Sequence, residues 1–298
     1  MYIYRMASIA SKALILNLLF MTTSFCNHKI VYFISPPRSL SVAFLRMMQA
    51  RGDFAIMHEP SQLVFNLANS PDLVQSWYRQ GALRSYAQVK QSILQEAQTH
   101  NVFVKEMSFA VRDFHLNDFE LMKNPDVYFV FLVRNPHHTT ISMYKKIAHV
   151  FDSVSHQMPY LIGYKDACDI FKVAQSNALN EPYVMSTEDL YNNPEETIKK
   201  FCEHVGIDFK PESLHWEDLG TDFDGLKDWH EAKYKELTNH WHGDAIRSTG
   251  FGKPHDYELD NSGMPTFSEI INDQHRDICK AVYLEHKHYY DLLMESKN

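Results

Sequence analysis

No aspartate or glutamate occurs before Asp53, no Cys-x-x-Cys pair occurs anywhere, and the N-terminal apolar run Ala13–Met21 is too short to span a bilayer comfortably. Each absence excludes something. The four cysteines, Cys26, Cys168, Cys202 and Cys279, lie far apart. That spacing argues against a zinc site or a dense disulfide framework and for thiols packed as small apolar groups. A basic surplus is missing too: the 298 residues carry a formal net charge of -8, so a general nucleic-acid binder is not expected. Histidine is plentiful, but the close pairs His137-His138, His240-x-His242 and His286-x-His288 have no third ligand nearby in sequence, and no metal ion is expected. Repeats, low-complexity tracts and internal linkers are lacking as well, and 45% hydrophobic with 22% charged residues suits one large domain.

The acid-free stretch is cationic, because Arg5, Lys12, Lys29, Arg38, Arg46 and Arg51 all fall in it, and a small anionic ligand would suit it. Residues 1–28 stand apart from the domain at 29–298. Arg5 and Lys12 precede an apolar run of signal-peptide length, while Thr22-Thr23-Ser24-Phe25-Cys26 makes a poor cleavage site. The segment reads as a weak export or anchor signal, as an extension upstream of a start at Met21, or as a packed helix. The expected compartment is the cytoplasm, with export or anchoring through this segment as the alternative and the only route to membrane contact.

From Lys29 onward, short apolar runs alternate with helical periodicity. Strands are predicted at Ile30–Ile34, Phe54–Met57, Val102–Lys105, Val127–Val133 and Tyr183–Met185. A helix follows the first, with Ala43, Phe44, Met47 and Met48 on one face and Gly52 as its stop. Asn193-Pro194-Glu195-Glu196 opens another with a capping asparagine, proline at the first position and acids in the first turn. Repetition of strand and helix predicts an α/β fold, a parallel sheet flanked by helices. Residues 211–268 read as loops and short helices, and 267–294 as a closing helical segment.

In such a sheet, ligands bind beyond the carboxyl ends of the strands. There the first strand runs through Ser35-Pro36-Pro37-Arg38-Ser39-Leu40-Ser41 straight into a helix, offering backbone N–H groups, a guanidinium and hydroxyls to an anion. The Gly-x-x-x-x-Gly-Lys-[Ser/Thr] pattern of an ATPase loop is missing. The fourth strand ends in Arg134-Asn135-Pro136, with Ser142 eight positions after the arginine. An arginine ending so apolar a strand calls for an anionic partner.

These stretches resemble the sulfotransferase family. Residues 35–41 are similar to its 5′-phosphosulfate loop, Arg134-Asn135-Pro136 with Ser142 to its 3′-phosphate motif, and Ser186-Thr187-Glu188-Asp189-Leu190 before Asn193-Pro194 to its Tyr-Glu-Asp-Leu stretch. The likeness is closer to tyrosylprotein and bacterial members than to cytosolic ones. It implies a P-loop NTPase-like sulfotransferase fold and transfer of a sulfuryl group from 3′-phosphoadenosine 5′-phosphosulfate to a hydroxyl or amine on a small-molecule, carbohydrate or peptide acceptor.

The resemblance further implies that Arg38, Ser39, Leu40, Ser41, Val42, Arg134 and Ser142 hold the cofactor, with Ser248 and Lys253 in a late segment lying over it. Glu59 becomes the general base, His58 the second candidate, and Lys105 the cation that approaches the transferring group. A carboxylate at Glu59 facing apolar neighbours would have a raised pKa suited to that work. Leu40 stands where the family has glycine, Val42 where it has a hydroxyl, and Thr187 where many members have an aromatic residue at the adenine. A P-loop nucleotide kinase and a non-catalytic nucleotide-binding protein are the competing readings. Acceptor and oligomeric state are left open by the sequence.

Overall fold

The computed structural model describes residues 28–69, 83–148, 154, 158, 161–220, 235–253 and 257–297; the leader reading of the N-terminal segment lies outside them, save for residue 28. Strand β1 (Ile30–Ser35) is buried at every position, as its unbroken apolar run requires. Helix α1 (Ser41–Arg51) follows, and Gly52 ends it at φ 73 with its N–H returned to the Gln49 carbonyl. Next come β2 (Phe54–His58), α2 (Gln62–Asn69) and α3 (Tyr86–Glu96). Strand β3 (Asn101–Met107) runs directly into α4 (Ser108–His115), and the single turn α5 (Phe119–Met122) precedes β4 (Val127–Val133) and α6 (Pro136–Ile147). The chain continues through α7 (Tyr164–Asn177), β5 (Tyr183–Ser186), α8 (Thr187–Asn192) and α9 (Pro194–Val205). A 3-10 turn at Pro211–Leu214, α10 (Lys235–Ile246) and α11 (Asp273–Glu295) complete the described order.

The sheet has the order β2-β3-β1-β4-β5, and every pairing is parallel. Side chains alternate across it. Val31, Phe33, Phe103, Val130 and Leu132 face a core closed by α1, α9 and Ile246 of α10, where Phe33 and Phe44 stack at 4.2 Å. Ile30, Tyr32, Val104, Phe129 and Val133 face a second core under α3, α4 and α7. A third cluster joins α6, the start of α7 and α11 around Phe267. Helices therefore cover both faces, the expected α/β architecture.

The differences from expectation are local. Strand β3 extends two residues past Lys105, which places that lysine inside the ladder instead of at its end. Asn193 stands at the N-cap of α9 with Pro194 behind it, yet its side chain makes no capping bond. The closing helix starts at Asp273, because Phe267 takes φ 53 and its carbonyl receives the Ile270 N–H, a turn that delays it. Among the described residues no helix is long and apolar enough to cross a membrane.

Candidate active site

The chain leaves β1 toward one edge, returns as β3, then crosses to β4, so the direction of winding reverses beside β1. That reversal is where open α/β sheets bind ligands. Just beyond it, Arg38 (φ 64) and Leu40 (φ 59) take left-handed conformations on either side of Ser39. Non-glycine residues reach that region at about 1–2 kcal/mol each, and such strain gathers at functional sites. Leucine thus holds the conformation that glycine would adopt freely, with its half-buried side chain packed on the first core. Leu40 is also the N-cap of α1 and supplies no side-chain bond there, so the first N–H groups of α1 keep an anion-binding aspect. Ser41 and Val42 are buried in the first turn.

The loop and the β4 arginine meet. Arg134 Nη1 donates to the Arg38 carbonyl at 2.7 Å, and Arg38 Nε donates to Ser142 Oγ at 3.0 Å. Arg38 Nη1 donates to the Trp241 carbonyl of α10 at 2.6 Å. Thr187 donates to the Ser39 carbonyl at 2.9 Å and so braces the loop. Glu188 accepts the Asn135 N–H at 3.0 Å and fixes the start of α6. Burial, against the pull of Asp244 and helped by the like charge of Arg134, lowers the Arg38 guanidinium to about 10. Burial likewise lowers Arg134 from its ordinary value. Among the described residues, the only carboxylate within 4.0 Å of either guanidinium is Asp244, which is 77% exposed. Arg134 Nε and Ser39 Oγ are buried without a hydrogen-bond partner among the described residues. Orphaned donors beside two buried cations fit an anionic group with several oxygens.

A different cluster lies at the ends of β2 and β3. The pairing of His58 with Lys105 continues one residue further, the Glu59 N–H donating to the Lys105 carbonyl at 2.7 Å while Glu59 takes φ 48. Lys105 is fully buried, and its ammonium is hydrogen-bonded to Glu59 Oε1. His58 Nε2 stands 3.4 Å from the same oxygen. From α10 comes His242, its ring edge-on to His58 at 5.1 Å, and one ligand-type atom from each of His58, Glu59 and His242 lies within 4.8 Å of the others.

Burial pushes the Glu59 carboxyl up, but Lys105, His58 and His242 outweigh it and hold the group well below the usual carboxylate range. The expected raised pKa is therefore not at Glu59. It is at Glu106, on the opposite face of β3, where burial opposed mainly by Ser61 gives a value of about 8. Burial also lowers His58 despite Glu59.

Of the residues expected at the site, Arg38, Ser39, Leu40, Ser41, Val42, Arg134 and Ser142 share one cradle, and Glu59, His58 and Lys105 share the adjoining cluster. Ser248 is engaged elsewhere, accepting from Trp216 Nε1 at 3.2 Å and donating to the Ala245 carbonyl at 2.7 Å. Lys253 is exposed, and Pro254 lies outside the described residues. Sequence reading missed Trp241, His242 and Glu106. For the first two the signals were the His240-x-His242 pair and the aromatic residues around it, neither of which names a partner. For Glu106 the signal was an acid adjoining Lys105 within an apolar strand.

The family profile of sulfotransferase domains matches residues 28–262, most of the chain. The chain belongs to the sulfotransferase family. No curated protein matches this sulfotransferase in sequence. Among solved structures it is similar to the sulfotransferase domain of the Synechococcus PCC 7002 olefin synthase, with 15% identity, coverage of 87% of this chain and 96% of that one, and a TM-score of 0.48. Similarity extends to mouse sulfotransferase SULT7A1 complexed with PAP (11% identity, 94% of each chain, TM-score 0.44). A sulfotransferase from Alicyclobacillus acidocaldarius shares 14% identity over 73% of this chain and 96% of its own, with a TM-score of 0.42. The enzyme is thus a transferase of sulfuryl groups, and the kinase reading is set aside.

Proposed function

We propose that this sulfotransferase takes its sulfuryl group from 3′-phosphoadenosine 5′-phosphosulfate and passes it to a hydroxyl or amine, with Glu59 receiving the acceptor's proton. One observation carries the reading: a buried Arg134 and a largely buried Arg38 lie side by side, tied to one loop and to Ser142, and among the described residues only an exposed carboxylate stands at the limit of ion-pair distance. Buried cations of that kind are stabilised by an external anion. The 5′-phosphosulfate lies along residues 38–42 at the start of α1, and the 3′-phosphate between Arg134 and Ser142. Ser248 and Lys253 cover the nucleotide only after their segment is rearranged.

Sulfuryl transfer needs in-line positioning and cations around oxygens that gain charge. The acceptor's lone pair forms the new bond to sulfur. The bond from sulfur to the 5′-phosphate oxygen breaks, and its electron pair leaves with the bisphosphate. Lys105 moves from Glu59 toward the transferring group. Glu59, relieved of its cation, keeps only the His58 and His242 rings against the effect of burial, so its pKa rises from its depressed value and the carboxylate becomes a better base only with the donor in place. His58, beside it, is the second candidate for this proton. The acceptor is a small molecule, a carbohydrate or a peptide, and residues of α10 form part of its surroundings.

Calorimetric titration with 3′-phosphoadenosine 5′-phosphate, with magnesium ATP as comparison, tests the reading. Binding of the bisphosphate alone, weakened at least tenfold in Arg38→Ala, is expected, a loss of about 1.4 kcal/mol or more. Preference for ATP would refute the donor assignment. Donor binding without transfer to any acceptor would favour a non-catalytic nucleotide-binding role.

A further inference from the structure

Two consecutive residues of α10 touch the two halves of the site, and the residue before them ties the helix to α6. The His240 carbonyl receives Lys146 Nζ at 2.6 Å, and the Trp241 carbonyl receives Arg38 Nη1 at 2.6 Å. His242, next in the chain, is 7% exposed and turns its ring onto His58 and toward Glu59. A buried imidazole needs a polar reason to sit there, and this one is delivered by a helix far from β2 in sequence.

We propose that His242 is a positioning residue for Glu59, holding the carboxylate in place when Lys105 transfers its ammonium to the donor. This deepens the reading of Glu59 as proton acceptor and rests on it. While Lys105 is bound, the carboxylate has a strong partner. Once that partner leaves, a buried base with a single imidazole beside it is free to rotate, and an N–H from His242 restores a second fixed contact. Attachment of the same helix turn to Arg38 sets His242 at a height defined by the donor loop. The groups facing His242 are His58 and Glu59 from the end of β2 and Lys105 from β3, with Asp244 the nearest acid on its own helix. His58, Glu59 and His242 also make a possible metal triad, but the Lys105 ammonium on Glu59 opposes a second cation there.

The first test needs neither donor nor acceptor. In the full chain labelled at histidine, the ring N–H signal of His242, assigned through His242→Gln, is followed by NMR in the wild type and in the double variant Glu59→Gln/Lys105→Met, which leaves no buried charge alone. With the neighbouring carboxylate gone, the signal is expected to move and its exchange with water to quicken several-fold. An unchanged signal and exchange rate overturn the proposal. The second test follows sulfate release from 3′-phosphoadenosine 5′-phosphosulfate with water as acceptor. His242→Ala is expected to slow release by up to about 100-fold with bisphosphate affinity unchanged, and His242→Gln, which keeps an N–H, to recover most of the rate. Equal loss in both variants, a parallel fall in bisphosphate affinity, or one zinc ion retained by the wild type and lost in His242→Ala would each overturn it. Failure of the wild type to bind the bisphosphate sinks the donor assignment and leaves the NMR result to decide the role of His242.

Discussion

The cradle around Arg38 and the cluster around Glu59 lie side by side, yet they handle buried charge in opposite ways. Arg38 and Arg134 lean on carbonyls and a hydroxyl and leave donors unmet. Lys105 and Glu59 neutralise one another. On the proposed function, the first region waits for an anion from outside, whereas the second is neutral as it stands and must be opened before it can work. A phosphosulfate donor would do both, filling one and drawing the lysine out of the other.

The sharpest way to break this contrast is to remove one cation from each side and follow denaturant unfolding. Lys105→Met strands a buried carboxylate and is expected to destabilise the fold by about 3–5 kcal/mol, most of it regained in Glu59→Gln/Lys105→Met. Arg134→Met removes the bond to the Arg38 carbonyl but leaves no ion-paired carboxylate stranded, and is expected to cost about 1 kcal/mol while bisphosphate binding collapses. Equal destabilisation by the two single changes would erase the distinction.

Glu106 shows what a buried carboxylate does without a lysine of its own. Its folded pKa of about 8 lies above its ordinary 4.5, so between those values the folded state keeps a proton that the unfolded chain has released. Stability conferred by that proton is full below about pH 4.5 and falls as pH rises toward 8, and Glu106→Gln is expected to flatten the slope, with a gain on the order of 4 kcal/mol at pH 8. A wild-type stability that climbs from pH 5 to 8, with the same climb in the variant, would place the charge elsewhere. The smallest effect concerns the loop itself. Thr187→Val removes the bond to the Ser39 carbonyl and is expected to weaken bisphosphate binding several-fold, about 1 kcal/mol, with little change in melting temperature. Calorimetry and a thermal melt check it together.

Elements whose information is local were legible in the sequence. The run from Val127 to Val133 specified β4 to the residue, and Gly52 marked the end of α1. Arg134 and Ser142 share one strand-to-helix connection, so their convergence could be read from an eight-residue offset. Glu59 was singled out for its place after β2, but the raised pKa expected there is reversed, because Lys105 reaches it across the sheet and no local pattern records that pairing. His242 was beyond reach for the same reason in stronger form. Its neighbours are His58 and Glu59, and only the tertiary fold brings α10 across the strand ends.

The central strand also has a history during synthesis. Ile30 pairs with Val102 on one side and Val127 on the other, and neither partner exists when β1 leaves the ribosome. An apolar segment must therefore wait, unpaired on both edges until a third strand has been made and on one edge until the fourth. Long-range parallel pairing is slow to form and leaves sticky intermediates exposed. Recombinant yield of this enzyme should accordingly depend more on slow translation and chaperone supply than on the stability of the finished fold.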